Sequence, residues 1–464
     1  MFKPGFIQVF PESVLQVCRV LQEAGGEAWL VGGCVRDLYL GLEPKDWDIE
    51  VFGIAEVKLE PILRKVGRCE HVGKQFGVYK LWVSHLEIDV ALPRRERKTG
   101  DGHKGFTVMV EPYLEPEVAV LRRDFTLNAM MFNPLNHTLL DFHGGLQDLH
   151  DKRLKHVSAA FVEDPLRPLR AMQLAARLGC TLDIRTARLC YDLFAEAHTL
   201  PASRVWQEWL KWSASDKPSL GLQALQDMGW DKLYPELMAM VECPQDSHWH
   251  PEGDVWVHTS MVVDEAARLA KERGLQGQDK VALLFAALCH DLGKPLTTEV
   301  LDDGKIVCPK HGEAGVEPSM VFLNRIGAPK WLKKAAAPLV KEHVVHFTSK
   351  LTDESVRCLA DRLQPMHICL WEVLTEADAC GRHPAPPERP ALAWLKRAEL
   401  LQVARSPAAS IVTGKLLLLQ GFEPSVYMGK LLDVAYQAQM RGDFKDKASA
   451  LIWLEEQRLA NVNK

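Results

Sequence analysis

Asp46 and Asp48 bracket a tryptophan in the run Lys45-Asp46-Trp47-Asp48-Ile49-Glu50. On a β-strand, residues i and i+2 project from the same face, so this spacing aims two carboxylates at one place. Two such groups repel unless a divalent cation neutralises them, and oxygen ligands of this kind suit Mg2+, which usually also holds substrate phosphates. Just upstream, Gly32-Gly33 would let backbone N–H groups approach a triphosphate, and Arg36 adds charge. Taken alone, the acid pair equally describes a turn followed by an edge strand with solvated side chains. Asp89, in Leu86-Glu87-Ile88-Asp89, is a candidate third carboxylate, with an ordinary strand-end acid as the alternative.

A second constellation lies far downstream. It comprises His258, the pair His290-Asp291 followed by Leu292-Gly293-Lys294-Pro295, and Asp378. A lone histidine on an apolar face is usually a core residue, but His-Asp followed by Leu-Gly-Lys-Pro is a specific combination.

These residues need elements to hold them. Apolar positions at Val14, Val17, Cys18 and Leu21 predict a helix over Pro11–Ala24. Ala28–Gly33 reads as a buried strand ending at the glycine pair, Cys34–Leu42 as a short helix, and Trp47–Gly53 as a second strand. Tyr79–Val83 and Leu86–Ala91 are two further strands. Between Asp89 and Arg122, Gly100, Gly102 and Gly105 with Arg94, Arg95, Arg97, Lys98 and Lys104 describe a flexible, basic, solvated loop. From Asp164 the texture changes to long helical periods, beginning with Arg167–Leu178. The proline-rich run His383–Pro390 reads as a linker.

The chain has 464 residues, 47% of them hydrophobic and 25% charged, which excludes a largely disordered or fibrous protein and calls for several domains. Its longest apolar runs, such as Val281–Cys289, are far too short to cross a bilayer. The N-terminus lacks an apolar core followed by a small-residue cleavage site, so a cytoplasmic protein is expected. The 11 cysteines are scattered singly and are expected to be reduced. A net charge of −5 does not advertise nucleic-acid binding, although a global charge says little about one groove.

Four motifs occur in order: Leu-Val-Gly-Gly-Cys-Val-Arg-Asp (30–37), Lys-Asp-Trp-Asp-Ile-Glu-Val-Phe-Gly (45–53), Arg-Arg-Asp-Phe-Thr-Leu-Asn-Ala-Met (122–130) and Glu-Asp-Pro-Leu-Arg-Pro-Leu-Arg (163–170). Together they resemble the class II tRNA nucleotidyltransferases, the CCA-adding enzymes, whose head belongs to the DNA polymerase β superfamily. The resemblance implies an α+β protein: a nucleotidyltransferase head with a small mixed sheet over 1–150, then a helical neck carrying the nucleotide-templating motif over 151–240. It also implies roles. Asp46 and Asp48, with Asp89 beside them, would bind the catalytic Mg2+ ions, roughly 4 Å apart in two-metal sites. Gly33 and Arg36 would contact the triphosphate, and Arg123 and Asp124 the ribose. Asp164 and Arg167 would present hydrogen-bonding edges to the base of CTP or ATP, and Arg170 would assist. Where the family commonly carries a further arginine, this chain has Gln173. The basic segment before Arg122 corresponds to a mobile element needed to switch from C to A addition.

The second constellation resembles the HD phosphohydrolase superfamily, in which two histidines and two aspartates bind one divalent metal. His258, His290, Asp291 and Asp378 fill those places over an expected domain at 241–385. Such a set suits Mn2+, Ni2+, Co2+ or Zn2+. His311 and His343 stand where a second metal would have ligands, so mononuclear and dinuclear sites are both open. A helical tail over 391–464 resembles the part of these enzymes that grips tRNA, through Lys415, Lys430 and Arg441. A class II head joined to an HD domain resembles the multifunctional CCA proteins of some bacteria, which hydrolyse 2′,3′-cyclic phosphodiesters, 2′-nucleotides and phosphomonoesters. Two alternatives share parts of the pattern. Bacterial poly(A) polymerases have a similar head, and a non-catalytic RNA- or nucleotide-binding module would need only the fold.

Overall fold

The computed structural model describes residues 10–72, 77–98, 106–382, 384 and 386–462. The chain divides into two compact units, Met1–Leu233 and Tyr234–Lys464.

The first unit is built on a seven-stranded sheet. Its strands are β1 (Glu27–Val31), β2 (Trp47–Phe52), β3 (Arg68–Val72), β4 (Val78–Val83), β5 (Leu86–Ala91), β8 (Met131–Asn133) and β9 (Thr138–Leu140). A separate antiparallel hairpin pairs β6 (Arg94–Lys98) with β7 (Phe106–Val110). The sheet runs β3-β4-β5-β2-β1-β8-β9, and β2 pairs antiparallel with β1 but parallel with β5. It is therefore mixed, as expected of the head. Helices α1 (Glu12–Glu23), α2 (Gly33–Tyr39) and α3 (Glu56–Leu63) complete this part. Val14, Val17, Cys18 and Leu21 are the buried positions of α1, as their spacing predicted.

β1 and β2 lie at the middle of the sheet, and their apolar side chains fill its core. Val31 and Phe52 pack with Val120, Ala129 and Met131. Within the segment read as a basic loop, Arg94–Lys98 and Phe106–Val110 pair instead as β6 and β7, and Arg95 of β6 pairs with Glu111, just past β7, at 3.0 Å. A strand whose five residues are four cations and an acid has no apolar alternation from which to read it. Gly100, Gly102, Lys104 and Gly105 lie outside the described residues, as do residues 1–9. Beyond the sheet, the helix Arg167–Leu178 buries nine side chains, including Leu169, Met172 and Leu174, and stops at Gly179 with φ 65°.

The second unit is helical. Gly277–Cys289 is its innermost helix, with every residue from Ala282 to Cys289 buried. Val255–Glu272, Lys330–Glu342 and Ile368–Cys380 are further long helices of this unit. Asp254 caps the first of these, its carboxylate accepting the Val257 N–H at 2.8 Å. The proline-rich linker is not free. Arg389 reaches back to the fully buried Glu372 at 2.7 Å. His383 and Ala385 lie outside the described residues. The C-terminal stretch has its own small core of Val412, Leu417, Leu431, Ala435, Phe444 and Trp453. All eleven cysteines are free. No helix among the described residues is long and apolar enough to cross a membrane.

Candidate active sites

The first site gathers where β2 meets β5. Asp48 stands in register with Asp89 on the parallel neighbour. Asp46 precedes the strand, in a bend, rather than lying on it as the i, i+2 reading supposed. Burial, followed by repulsion from Asp89, Asp46 and Glu50, raises the Asp48 pKa to about 6 against the pull of Arg123. Asp89 is also raised, by burial first, and its buried Oδ1 lacks a hydrogen bond; the Lys80 ammonium stands 3.6 Å from it. Asp48 and Asp89, facing each other with both carboxyls raised and one oxygen orphaned, are donors that a divalent cation fits, and Asp46 is near enough to add its repulsion to both.

Gly32 lies beside them. Its φ of +75° is the left-handed conformation that glycine tolerates, and a Cβ there would meet Arg123 Nη1 at 3.2 Å and Asp48 Oδ2 at 3.6 Å. Gly33 opens α2, with the Arg36 guanidinium against it.

One hydrogen-bonded chain ties three of the sequence motifs together. Arg36 donates to Asp37 at 2.7 Å and to the Asn128 side-chain carbonyl at 2.6 Å. Asn128 donates to Asp124 at 3.0 Å, and Arg170 donates to the other Asp124 oxygen at 2.5 and 2.7 Å. Burial opposes the charge on Asp124, but Arg170 and Asn128 outweigh it and hold the pKa at about 2. With the Phe125 N–H also donating to Oδ1, each Asp124 oxygen accepts two hydrogen bonds, Oδ2 both of them from Arg170. Arg122 and Arg123 both donate to Glu50, at 2.9 and 2.8 Å, and that fully buried carboxylate is kept ionised by them.

Asp164 and Arg167 are brought to the same helix start but not to each other's side chains. Asp164 accepts from Arg204 at 3.2 Å, while Arg167 donates to the backbone carbonyls of Ala160 (2.8 Å) and Arg122 (2.6 Å). Gln173, where the further arginine would stand, is buried. Sequence reasoning passed over Glu50, Asn128 and Arg204. Glu50 had a visible signal, being the third acid of the Asp-x-Asp-x-Glu alternation; Asn128 and Arg204 had none.

The second site is a cluster of imidazoles around Asp291. Four histidines, two of them in the expected set, are turned the same way for one reason. His290, His311 and His343 donate Nδ1–H to the carbonyls of Ala287, Cys308 and Val340 at 2.8, 2.8 and 2.7 Å, and His258 donates Nδ1–H to Glu252 at 2.8 Å. Carbonyls and carboxylates only accept, so each Nε2 is the nitrogen left to face the centre.

On one side of Asp291, His290 Nε2 lies 3.2 Å and His258 Nε2 3.9 Å from Oδ2, and His258 Nε2 is 3.0 Å from Asp378. On the other, His311 and His343 Nε2 lie 3.5 and 3.8 Å from Oδ1 and 3.0 Å from each other. His290 Nε2 and both Asp291 oxygens are buried without a hydrogen bond, although Lys294 Nζ forms an ion pair with Oδ2 at 2.7 Å. Orphaned donor atoms of this kind, all aimed inward, fit divalent cations.

Burial opposes a charge on His258, but Asp378 and Glu252 on its two sides raise its pKa to about 9. Burial, then repulsion by His311 and His290, pushes His343 down to about 3. The four expected ligands are thus brought together, and His311 and His343 join them. Sequence reasoning missed Glu252 and Lys294. It also missed why the motif has Gly293, where a Cβ would lie 2.0 Å from the His311 carbonyl oxygen. Only glycine lets the His311 segment come this close.

Two family descriptions match separate stretches of the chain. Residues 28–155 match the Poly A polymerase head domain and residues 255–366 the HD domain. The multifunctional CCA protein of Xanthomonas campestris pv. campestris (strain B100) is 37% identical over 401 residues, covering 83% of this chain and 94% of the relative. That of Xylella fastidiosa (strain 9a5c) is 36% identical over 369 residues, covering 77% and 84%. Among solved structures, the Bacillus stearothermophilus CCA-adding enzyme in complex with CTP aligns over 100% of both chains with a TM-score of 0.66 at 20% identity. The Thermotoga maritima CCA-adding enzyme complexed with tRNA aligns over 98% of this chain and 97% of its own, with a TM-score of 0.59 at 20% identity. These two share the fold. Head, HD cluster and relatives matched along most of their length lead to one conclusion: the chain belongs to the family of multifunctional CCA proteins.

Proposed function

We propose that this chain adds C, C and A to the 3′ ends of tRNA from CTP and ATP without a nucleic-acid template, in the cytoplasm, and that its HD cluster hydrolyses phosphate esters. The observation that carries the first activity is the meeting of Asp48 and Asp89 beside Gly32, joined to the network from Asp37 to Arg170. When bound, Mg2+ at Asp46, Asp48 and Asp89 supplies positive charge for the reacting phosphates and the primer hydroxyl. The chain itself places the nucleotide. Gly33 and Arg36 face the triphosphate, Arg123 and Asp124 border the ribose, Asp164 and Arg167 border the base, and Arg170 assists in nucleotide binding. The head spans 1–150, the templating neck 151–240, the HD domain 241–385 and a tRNA-contacting tail 391–464.

The deciding assay offers tRNA lacking its CCA end CTP alone, ATP alone, or both. Addition of two residues with CTP and completion only with both nucleotides supports the proposal. Long tails from ATP alone would make the chain a poly(A) polymerase, and no incorporation would leave a binding module.

For the HD cluster we propose Ni2+, Mn2+ or Co2+ held by His258, His290, Asp291 and Asp378, and a second ion held by His311 and His343 with Asp291 shared. The placement of one imidazole group on each side of Asp291 supports two ions. When bound, such metal supplies an activated water at a phosphate ester. Lys294 adds a fixed cation for the phosphate, and Glu252 fixes the orientation of His258. Metal titration with 2′,3′-cyclic nucleotide hydrolysis as the readout tests this. A stoichiometry near one would remove the second ion, and no hydrolysis with any of these metals would make the domain structural.

A further inference from the structure

The HD cluster opens into a cavity of about 360 Å3, several times the size of a phosphate group and within the range of pockets that hold small organic ligands. Its lining changes character with depth. Asp291 and His343 are 1% exposed and Lys294 is 7% exposed, whereas Trp249 is 58% and Phe347 73% exposed. Two large aromatic rings therefore stand in water at the edge of a polar, metal-binding centre. Trp249 is held in place there. Its backbone N–H donates to the Asp246 carbonyl at 3.1 Å, and Arg382 donates to its carbonyl at 3.1 Å with the guanidinium 5.7 Å from the ring centre.

An exposed aromatic ring keeps one apolar face hydrated, which is unfavourable unless something covers it. The occupant must also carry a phosphate, because a buried lysine ammonium and the inward-facing histidines serve no apolar ligand. A nucleoside phosphate meets both demands. Every base has a π-face, and stacking on an aromatic side chain contributes about 1–3 kcal/mol without base selection. Arg382, cationic and beside Trp249, suits a second phosphate on the same strand.

We infer that Trp249 is the stacking platform for the base of a nucleoside 2′- or 2′,3′-cyclic phosphate whose phosphate lies at Asp291 and Lys294, with Phe347 as a second apolar wall and Arg382 as the contact for a preceding phosphodiester. This rests on the HD cluster being a phosphohydrolase site. The base is thereby recognised as a ring rather than by its hydrogen-bonding edge, so all four nucleotides are accepted.

The test compares full-length parent and Trp249→Ala protein on 2′,3′-cyclic AMP and on glycerol 1,2-cyclic phosphate, which has the same reacting group and no base. The ratio of the two kcat/KM values should fall about 5- to 150-fold in Trp249→Ala, chiefly through KM for the nucleotide, and Trp249→Phe should restore most of it. A second readout needs no turnover. Fluorescence of 2-aminopurine riboside 2′-phosphate should be quenched by metal-free parent and markedly less by Trp249→Ala. An unchanged ratio and unchanged quenching, or an equal loss on both substrates, overturns the platform. A parent that cleaves neither substrate with Ni2+, Mn2+ or Co2+ overturns instead the phosphohydrolase reading on which it rests.

Discussion

Asp48 and Asp89 are register partners on the parallel strands β2 and β5, and the Asp89 carboxylate adds to burial in raising the Asp48 pKa. A pair that repels in the free protein is poised to bind a cation. The same repulsion must weaken the fold when no cation is present.

The Asp48 carboxyl titrates near its ordinary value of 3.8 in the unfolded chain and at about 6 in the folded one. Between those values the folded state holds the extra proton, so stability falls as pH rises through this window and stays low above it. Asp48→Asn should therefore abolish nucleotide addition yet raise metal-free stability at pH 8 by on the order of 1–3 kcal/mol, the lower end applying to a partly solvated group. The gain should shrink toward zero near pH 4, and Mg2+ should stabilise the parent only. Thermal melts in chelator across pH check this, and a variant less stable than the parent at pH 8 would sink it. Asp46→Ala, in the exposed bend, should lose transfer with little change in melting.

Arg167→Ala should reduce incorporation of both C and A, or relax the choice between them, by about 1–3 kcal/mol, as for other arginine–base contacts. It should also destabilise the first unit, because the guanidinium serves the carbonyls of Ala160 and Arg122. Single-nucleotide incorporation kinetics and a melt, measured on one preparation, separate the two effects. Unchanged rate and selectivity would end the protein-template assignment.

Asp291→Ala removes the carboxylate that both imidazole groups address, so cyclic phosphate hydrolysis should collapse by at least 100-fold, on the order expected for losing a metal ligand with its activated water. CCA addition depends on a set that shares no residue with this cluster and should persist. Both activities assayed on the same protein decide the matter. A joint loss would show that the two chemistries are coupled.

Glu252→Gln should weaken metal binding by about 10- to 100-fold, the usual cost of removing a carboxylate behind a ligating histidine. Glu252 accepts from both His250 (2.9 Å) and His258 (2.8 Å) through one oxygen, so the amide loses the charge that orients the His258 ring. Equilibrium metal titration measures it. An affinity equal to the parent's would reduce Glu252 to a structural partner of the two rings.

The sequence by itself determined the acid pair around the start of β2, the α+β character of the head, the helical remainder and the order of the motifs, because these rest on local periods and on residue types within one short segment. It could not place Asp46 in a bend or read the β6–β7 hairpin, where strand pairing rather than apolar alternation decides the structure. Nor could it find partners set by contacts far apart in the chain. Asn128 joins Arg36 to Asp124 across 92 and 4 residues, and Glu50 receives two arginines more than 70 residues away. The HD cluster divides the same way. His290-Asp291 and the glycine after it announce themselves, but which nitrogen each imidazole presents is fixed by carbonyls such as those of Ala287 and Val340. Backbone carbonyls have no signature in a sequence, since every residue has one. Only the folded chain decides which of them faces a histidine.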